Sequence, residues 1–563
     1  DACNAEEYLS ETLPHYLLGG NADMVKELTD AILLMNHANT LGSIMKFDIS
    51  EQTRNVVMVR TQEYEEQLAN GEIVPSSIML LMPYMRIILA LTQKYAALCM
   101  NPPYMGSGRF DDVLSKYVKD NYADAKADLF SVFMQMGMER LAPNGKMAQI
   151  NMQSWMFLSS FEKLRKQFLT HYNIDNMLHL GPRTFDELSG EVVQNTAFVL
   201  SKHVPVEQGG VYYRLVEGKN CADKEQLFLS HIHGNEDGNR IYYPNVEQKN
   251  FEKIPGRPIG YWVNKPEIFD NKTILDYGYF SGGRNKTHGN EKYVRYFWEI
   301  DHNSTRWAKY SNAGGVRKYF GMEWDVVDWS KEARDFYNSH GGLLNSSYWN
   351  KEGITWNLIS SQYAAFSIKH SDFIYSSGSP TIFNTEYKCS FYLLGFLNTK
   401  IACSYLRLMN PTINTTAGDV LSLPLIEKES IIIKKRVKEC IKISKQDWDA
   451  HETSWDFQCN ELLSVDEQTY MDNINIFVED HYKETGERLC IAPAAPQLDS
   501  LAWRIEQYKQ KWEHKFKQLH ENEEELNRQF IDIYGLQDEL TSDVPLNEIT
   551  ILQQGEISIE ENS

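Results

Sequence analysis

Apolar residues recur at three- and four-residue spacing through NADMVKELTDAILLMNHANTLGSIM and SSIMLLMPYMRIILALTQKY, so residues 1–93 are predicted to be mostly helical. The apolar run YAALCM that follows predicts a buried strand. In ADLFSVFMQMGMERLAPNGKMAQINMQ the pattern reads as a helix, a Pro-Asn-Gly turn and a second strand. SSFEKLRKQFLTHY has the pattern of an amphipathic helix, NIDNMLHLG that of a third strand and QNTAFVLSKHV that of a fourth. Strands alternating with helices at this spacing predict a mostly parallel α/β sheet.

The texture then changes twice. From about residue 207 the chain turns to short polar strands rich in Gly, Asn and aromatic residues, as in GGRNKTHGNEKYVRYFWEI and YWNKEGITWNLISS. Near residue 426 long charged helices with apolar stripes take over, in EKESIIIKKRVKECIKISKQDWDAHE and LAWRIEQYKQKWEHKFKQLHENEEELNRQFIDIYG. The expected division is a helical region over 1–93, a sheet core over 94–206, a second domain over 207–425 and a helical segment over 426–563 that packs on another element.

A length of 563 residues is too great for a single core, in keeping with several domains. No stretch reaches the roughly 18 apolar residues of a membrane span. The opening DACNAEEYLSETLPHYLLGG lacks the basic and apolar regions of a secretory signal and reads as the interior of something longer. Eight cysteines lie far apart without a C-x-x-C pair, which predicts reduced thiols, no disulfide, no structural zinc and a cytoplasmic location. The 15 histidines show no H-E-x-x-H spacing, and no phosphate-binding loop or Ser-His-Asp constellation appears.

A net charge of -21 argues against a nucleic-acid partner until its distribution is considered. Residues 521–563 hold 12 Asp and Glu against one Arg, whereas residues 281–320 hold 8 Lys and Arg against 3 Asp and Glu. Those basic residues, Arg284, Lys286, Lys292, Arg295, Arg306, Lys309, Arg317 and Lys318, are interleaved with eight aromatics, among them Tyr293, Trp298 and Trp307. Basic groups suit phosphates and guanine edges while aromatic rings stack or wedge, so all eight basic residues are candidate DNA contacts. A solvated sheet surface over an aromatic core has the same composition.

The sharpest chemical signal is CMNPPYMGSG, which places Asn101, Pro102, Pro103 and Tyr104 directly after the YAALCM strand. Ligands of parallel sheets collect beyond the carboxyl ends of strands. There the Asn101 side-chain oxygen and the Pro102 carbonyl can accept both hydrogens of an amine on a base and aim its lone pair at an electrophilic methyl group. The two prolines preorganise these acceptors by holding φ near about -65°. Tyr104 adds a flat face for an extruded base. The plain alternative is a Pro-Pro turn in which Asn101 caps the strand and Tyr104 packs.

NPPY is the motif of amino-methyltransferases, and its surroundings extend the likeness. KADLFSVFMQMGMERLAPNGKMAQINMQSWMFLSSFEKLRKQFL and HLGPRTFDELSGEVVQNTAFVL resemble the blocks that follow the motif in gamma-type adenine-specific DNA methyltransferases. NPPYMGSGRF, LLGFLNTKIACSYLRLMNPTIN, DWDAHETSWDF and NEEELNRQFIDIYGLQDEL resemble the methyltransferases of BREX phage-defence systems, from about residue 36 to the end. The resemblance implies the C-terminal part of a Rossmann-like class I methyltransferase sheet, then a mixed α/β target-recognition domain and a helical C-terminal segment. It implies S-adenosylmethionine as cofactor, double-stranded DNA as partner, and other phage-defence proteins as possible associates. Asn101 to Tyr104 match the catalytic motif, Phe133 matches a phenylalanine that packs on the cofactor adenine, and Phe185 sits where a second aromatic closes on the flipped base.

One family feature is missing. The Gly-rich turn that admits the methionine end of the cofactor has no match in residues 1–100, whose glycines are Gly19, Gly20, Gly42 and Gly71, nor does the acidic residue that holds the cofactor ribose. Gly106 and Gly108 follow the catalytic motif and are out of place for that role. The expectation is a chain that is incomplete by itself, with the cofactor fold on an upstream segment or a separate polypeptide. The rivals are a catalytically silent DNA-recognition or assembly subunit and a methyltransferase acting on RNA or on a glutamine side chain; the large aromatic-rich region disfavours the glutamine version. NEEELNRQF reads as a structural acidic helix or a partner-docking face.

Overall fold

The computed structural model describes residues 17–552 except 186–192, 206–208, 233–239, 313, 361–362, 488 and 490–499. The chain divides into two compact units, Asp1–Val263 and Asn264–Ser563.

Among the described residues of the first unit come helices α1 (Ala22–Leu34), α2 (Glu51–Ala69) and α3 (Ser76–Thr92). Asn21 caps α1 by accepting from the backbone N–H of Asp23 and Met24, and Ser50 caps α2 by accepting from Thr53. Strand β1 (Tyr95–Met100) follows, then α4 (Leu129–Arg140), β2 (Leu141–Met152), α5 (Glu162–His171), β3 (Asn173–Gly181), β4 (Asn195–Ser201), β5 (Gly210–Arg214) and β6 (Tyr242–Val246). The six strands form one sheet in the order β1-β2-β4-β3-β5-β6. The Pro-Asn-Gly turn lies within the span of β2, where Asn144 takes a φ of 61°.

The sheet is mixed where a mostly parallel one was expected. β1 pairs parallel with β2, and β3 parallel with β5, but β4 runs against both β2 and β3, and β6 against β5. The return from β3 to β4 within the same sheet leaves β4 antiparallel to both of its neighbours, β2 and β3. β1 is an edge strand rather than the buried one expected: Ala96, Ala97 and Cys99 are exposed, and among the described residues it pairs only with β2.

The first unit also runs past the boundary drawn at 206. Its sheet takes in β5, where Tyr212 is fully buried and stacks on Tyr261 with ring centroids 5.0 Å apart. Polar and glycine-rich texture marks the surrounding loops, while the Tyr-Tyr pair supplies core. Trp155 anchors the other side of the core, between Phe168 of α5 and Phe198 of β4. Arg165 of α5 is buried beside it and donates to the carbonyls of Trp155, Leu158 and Gly256, so its charge is solvated by backbone oxygens.

Among the described residues the second unit holds two four-stranded sheets. β7 (Phe280–Ser281), β11 (Gly353–Trp356), β12 (Phe366–Lys369) and β14 (Thr381–Phe383) form one, in the order β12-β11-β14-β7. β8 (Val294–Tyr296), β9 (Trp307–Ser311), β10 (Asp325–Asp328) and β13 (Phe373–Tyr375) form the other, in the order β13-β9-β10-β8. Helices α6 (Phe391–Leu397), α7 (Lys400–Met409), α8 (Ile431–Asp449), α9 (Glu467–Thr485) and α10 (Leu501–Tyr534) follow. The long charged helices belong to this unit and form no compact unit of their own, because their apolar stripes are used inside it: Phe530 of α10 packs on Tyr392 and Phe396 of α6, and Tyr534 stacks on Phe396 at 5.4 Å. Gly395 lets α6 and α8 approach, since a Cβ there would lie 2.7 Å from Val437 Cγ2.

Candidate active site

β4 runs against β2 and β3, so β3 points the same way as β1 and β2 and their carboxyl ends share one end of the sheet. That end receives Asn101 after β1, Gln153 after β2, Phe185 after β3 and Asn195 at the start of β4. The topology thus places the motif loop and Phe185 at one end of the sheet. Phe185 is half-buried there.

The loop after β1 is tied down by one acidic residue. Asp128, the N-cap of α4, accepts from the backbone N–H of Met105 at 3.1 Å and of Phe130 at 3.2 Å. Burial raises its pKa, and these backbone hydrogen bonds oppose the rise. Ser107 N–H donates to the Ala127 carbonyl and Leu129 N–H to the Met105 carbonyl, so two strands of loop are stitched together beside the motif. Pro102 is buried, while Asn101 is exposed and its side-chain amide carries no hydrogen bond among the described residues.

Tyr104 is half-buried and meets Phe130 edge-on at 6.3 Å. Its hydroxyl accepts from Asn195 Nδ2 at 3.0 Å. Burial pushes the Tyr104 pKa up, and the Asn195 hydrogen bond partly opposes this. Phe133, one turn on from Phe130 in α4, is half-buried against the core.

Sequence reasoning missed the polar row that backs this loop. Gln149 and Asn151 alternate along one face of the end of β2, and Gln153 follows directly after the strand. Gln153 Oε1 lies 2.7 Å from His179 Nε2, and His179 Nδ1 lies 2.9 Å from the Tyr261 hydroxyl. Burial, with Arg214 and Lys224 nearby, depresses the His179 pKa to about 3, so the ring is neutral. The visible signal was amide residues at alternate positions of QINMQ and at the head of an apolar strand in NTAFVL.

The residues of this chain fit S-adenosylmethionine only in part. Phe133 offers an apolar face. Gly106 and Gly108 are no cradle: a Cβ at Gly108 would meet nothing within 4 Å, and one at Gly106 only Asp128 Oδ2 at 3.8 Å. Asp128 itself is engaged with backbone N–H groups.

In the second unit the eight candidate DNA contacts separate by burial. Arg284, Lys286 and Lys292 are exposed. Arg295 turns back on the carbonyls of Glu291 and Val294. Arg306 pairs with Asp328 at 2.6 Å and Lys309 with Asp372 at 2.8 Å. Arg317 and Lys318 are buried and paired with Asp447 of α8 and Glu523 of α10, which removes them from any DNA-facing surface. Glu523 lies in NEEELNRQF, where Asn522 and Asn527 are also buried, so that stretch is built into the unit's interior. Two rings of the basic segment do face outward: Tyr296 and Trp298 are each 46% exposed and stack at 4.7 Å.

Residues 24–185 match the family model of the Eco57I restriction-modification methylase. Over 499 residues the chain is 33% identical to the adenine-specific methyltransferase PglX of Lacticaseibacillus casei (strain Zhang), covering 83% of this chain and 38% of that protein. Over 451 residues it is 31% identical to the adenine-specific methyltransferase BrxX of Escherichia coli O9:H4 (strain HS), covering 78% of this chain and 36% of that one. The resemblance expected from the sequence is therefore found, and the chain spans less than two fifths of the length of these curated relatives. A solved structure of the type IIL restriction-modification enzyme MmeI in complex with DNA aligns over 90% of this chain and 77% of its own, at 10% identity and a TM-score of 0.43. Among the described residues no helix is long and apolar enough to cross a membrane.

Proposed function

We propose that this chain carries the base-binding and DNA-recognition parts of an adenine-specific DNA methyltransferase of BREX-type phage defence. The reaction is methylation of the exocyclic 6-amino group of adenine in duplex DNA, after the base is extruded. The observation that carries this reading is the Asn101-Pro102-Pro103-Tyr104 loop at the carboxyl end of β1, with its tyrosine pinned to the sheet. Asn101 Oδ1 and the Pro102 carbonyl accept the two amine hydrogens. Tyr104 and Phe185 take the base between them. The methyl donor is S-adenosylmethionine, with Phe133 against its adenine.

The donor's methionine and ribose partners come from a segment that extends the sheet at β1. An exposed apolar edge strand is a template for a further parallel strand, and leaving it open is costly for a soluble chain. DNA is contacted by Arg284, Lys286 and Lys292 together with the Tyr296–Trp298 pair, whose outward rings are placed to stack or wedge. Other phage-defence proteins are further partners of the assembled enzyme.

The partial fit to the cofactor favours one second reading, a recognition subunit that binds DNA without transferring methyl groups. Transfer of labelled methyl groups to mixed bacterial DNA separates the two. The first reading predicts label in adenine once the cofactor-binding segment is supplied; DNA binding with no label under any complementation supports the second.

A further inference from the structure

Asn195 is fully buried at the head of β4, and its Nδ2 holds two acceptors at once: the Tyr104 hydroxyl at 3.0 Å and the Asn151 carbonyl of β2 at 3.3 Å. One amide group therefore links the motif loop to the rigid middle of the sheet. Because the Tyr104 oxygen accepts from Asn195, its own proton remains free to be donated elsewhere.

The surroundings are costly to maintain. Asn195 Oδ1, both polar atoms of the Asn151 side chain, and Gln149 Oε1 are buried with no hydrogen-bond partner among the described residues. Each such atom is destabilising relative to a satisfied or apolar replacement, because it is desolvated with no hydrogen bond in return. A position selected for stability alone would hold a residue such as Val or Leu. Clustered unpaired amides directly behind an exposed loop are the pattern of a site whose geometry serves a ligand.

We infer that Asn195 is a positioning residue for base binding: through its amide it sets the plane of the Tyr104 ring against which the target base stacks. This rests on the proposed function above. Without that bond the half-buried Tyr104 ring keeps its core packing and its edge contact with Phe130, but its hydroxyl end is no longer fixed, and part of the ordering entropy falls on base binding. Asn195 removes that freedom in advance.

The test uses a single-stranded oligothymidylate carrying one 2-aminopurine, which requires neither base extrusion nor a recognition sequence. Stacking on Tyr104 quenches the probe, and titration of the full chain gives its dissociation constant. Tyr104→Phe and Asn195→Ala are each expected to weaken binding roughly five- to tenfold. The double variant is expected to bind no more weakly than either single one, because both remove the same hydrogen bond. Multiplying losses, or unchanged binding by Asn195→Ala, overturn the inference. If Asn195→Ala does not fold, Tyr104→Phe removes the same bond from the half-exposed side, and its unchanged binding is equally decisive. Tyr104→Ala separates the levels: quenching that survives it sinks the base-stacking reading itself, whereas quenching lost there but kept in Tyr104→Phe at the wild-type dissociation constant sinks only the role of Asn195.

Discussion

Lys318 Nζ lies 2.6 Å from Glu523 Oε2, with both side chains almost wholly withdrawn from solvent. The Glu523 carboxylate holds the Lys318 ammonium charged against the cost of its burial and raises its pKa. The pair joins the basic segment 281–320 to α10, residues separated by 205 positions in the chain. Removing one partner leaves a buried charge uncompensated, so Lys318→Met is expected to lower unfolding free energy by about 3–5 kcal/mol in urea titrations. Lys318→Met with Glu523→Leu should recover most of that loss.

Exposed cations of the same segment should behave in the opposite way. Lys286→Ala is expected to leave the urea midpoint within experimental scatter and to reduce the slope of log K against log salt for duplex DNA by about one. The Lys318→Met, Glu523→Leu pair should leave that slope unchanged.

These contrasts show what the sequence could and could not reveal. β1 and β3 were legible to the residue, because six and nine residues of local apolar pattern suffice to define them. Sheet direction was not, since β4 pairs with strands on both sides through contacts that no local window contains. Arg317 and Lys318 read as surface cations for the same reason: their acidic partners lie 130 and 205 residues away. The NPPY loop stands out in the sequence because its four residues are contiguous, whereas Asn195, the hydrogen-bond partner of Tyr104 91 residues away, does not.

Helix packing at Gly395 gives a third test. A methyl group there would press on Cγ2 of the fully buried Val437 at 2.7 Å. Gly395→Ala should destabilise the chain by about 1–3 kcal/mol despite its better helix propensity, and Val437→Ala in the same chain should relieve part of the loss.

Stability should also depend on pH through Glu323. Burial, then the neighbouring Asp372 carboxylate, pushes its pKa from 4.5 to about 8, and burial lowers the pKa of His370, whose Nε2 is 3.7 Å away. A raised folded pKa means that the contribution is full below the unfolded value of 4.5 and is lost as pH rises through about 8. The melting temperature of wild type should fall across that window, and Glu323→Gln should flatten the fall and melt higher than wild type at about pH 9.

The most direct test of the central claim is methyl transfer by Asn101→Ala, measured with labelled S-adenosylmethionine and the cofactor-binding segment supplied, beside a DNA-binding titration of the same protein. Loss of transfer by at least about a hundredfold with DNA affinity retained is the predicted result. Transfer at the wild-type rate would contradict the assignment of this loop as the active site.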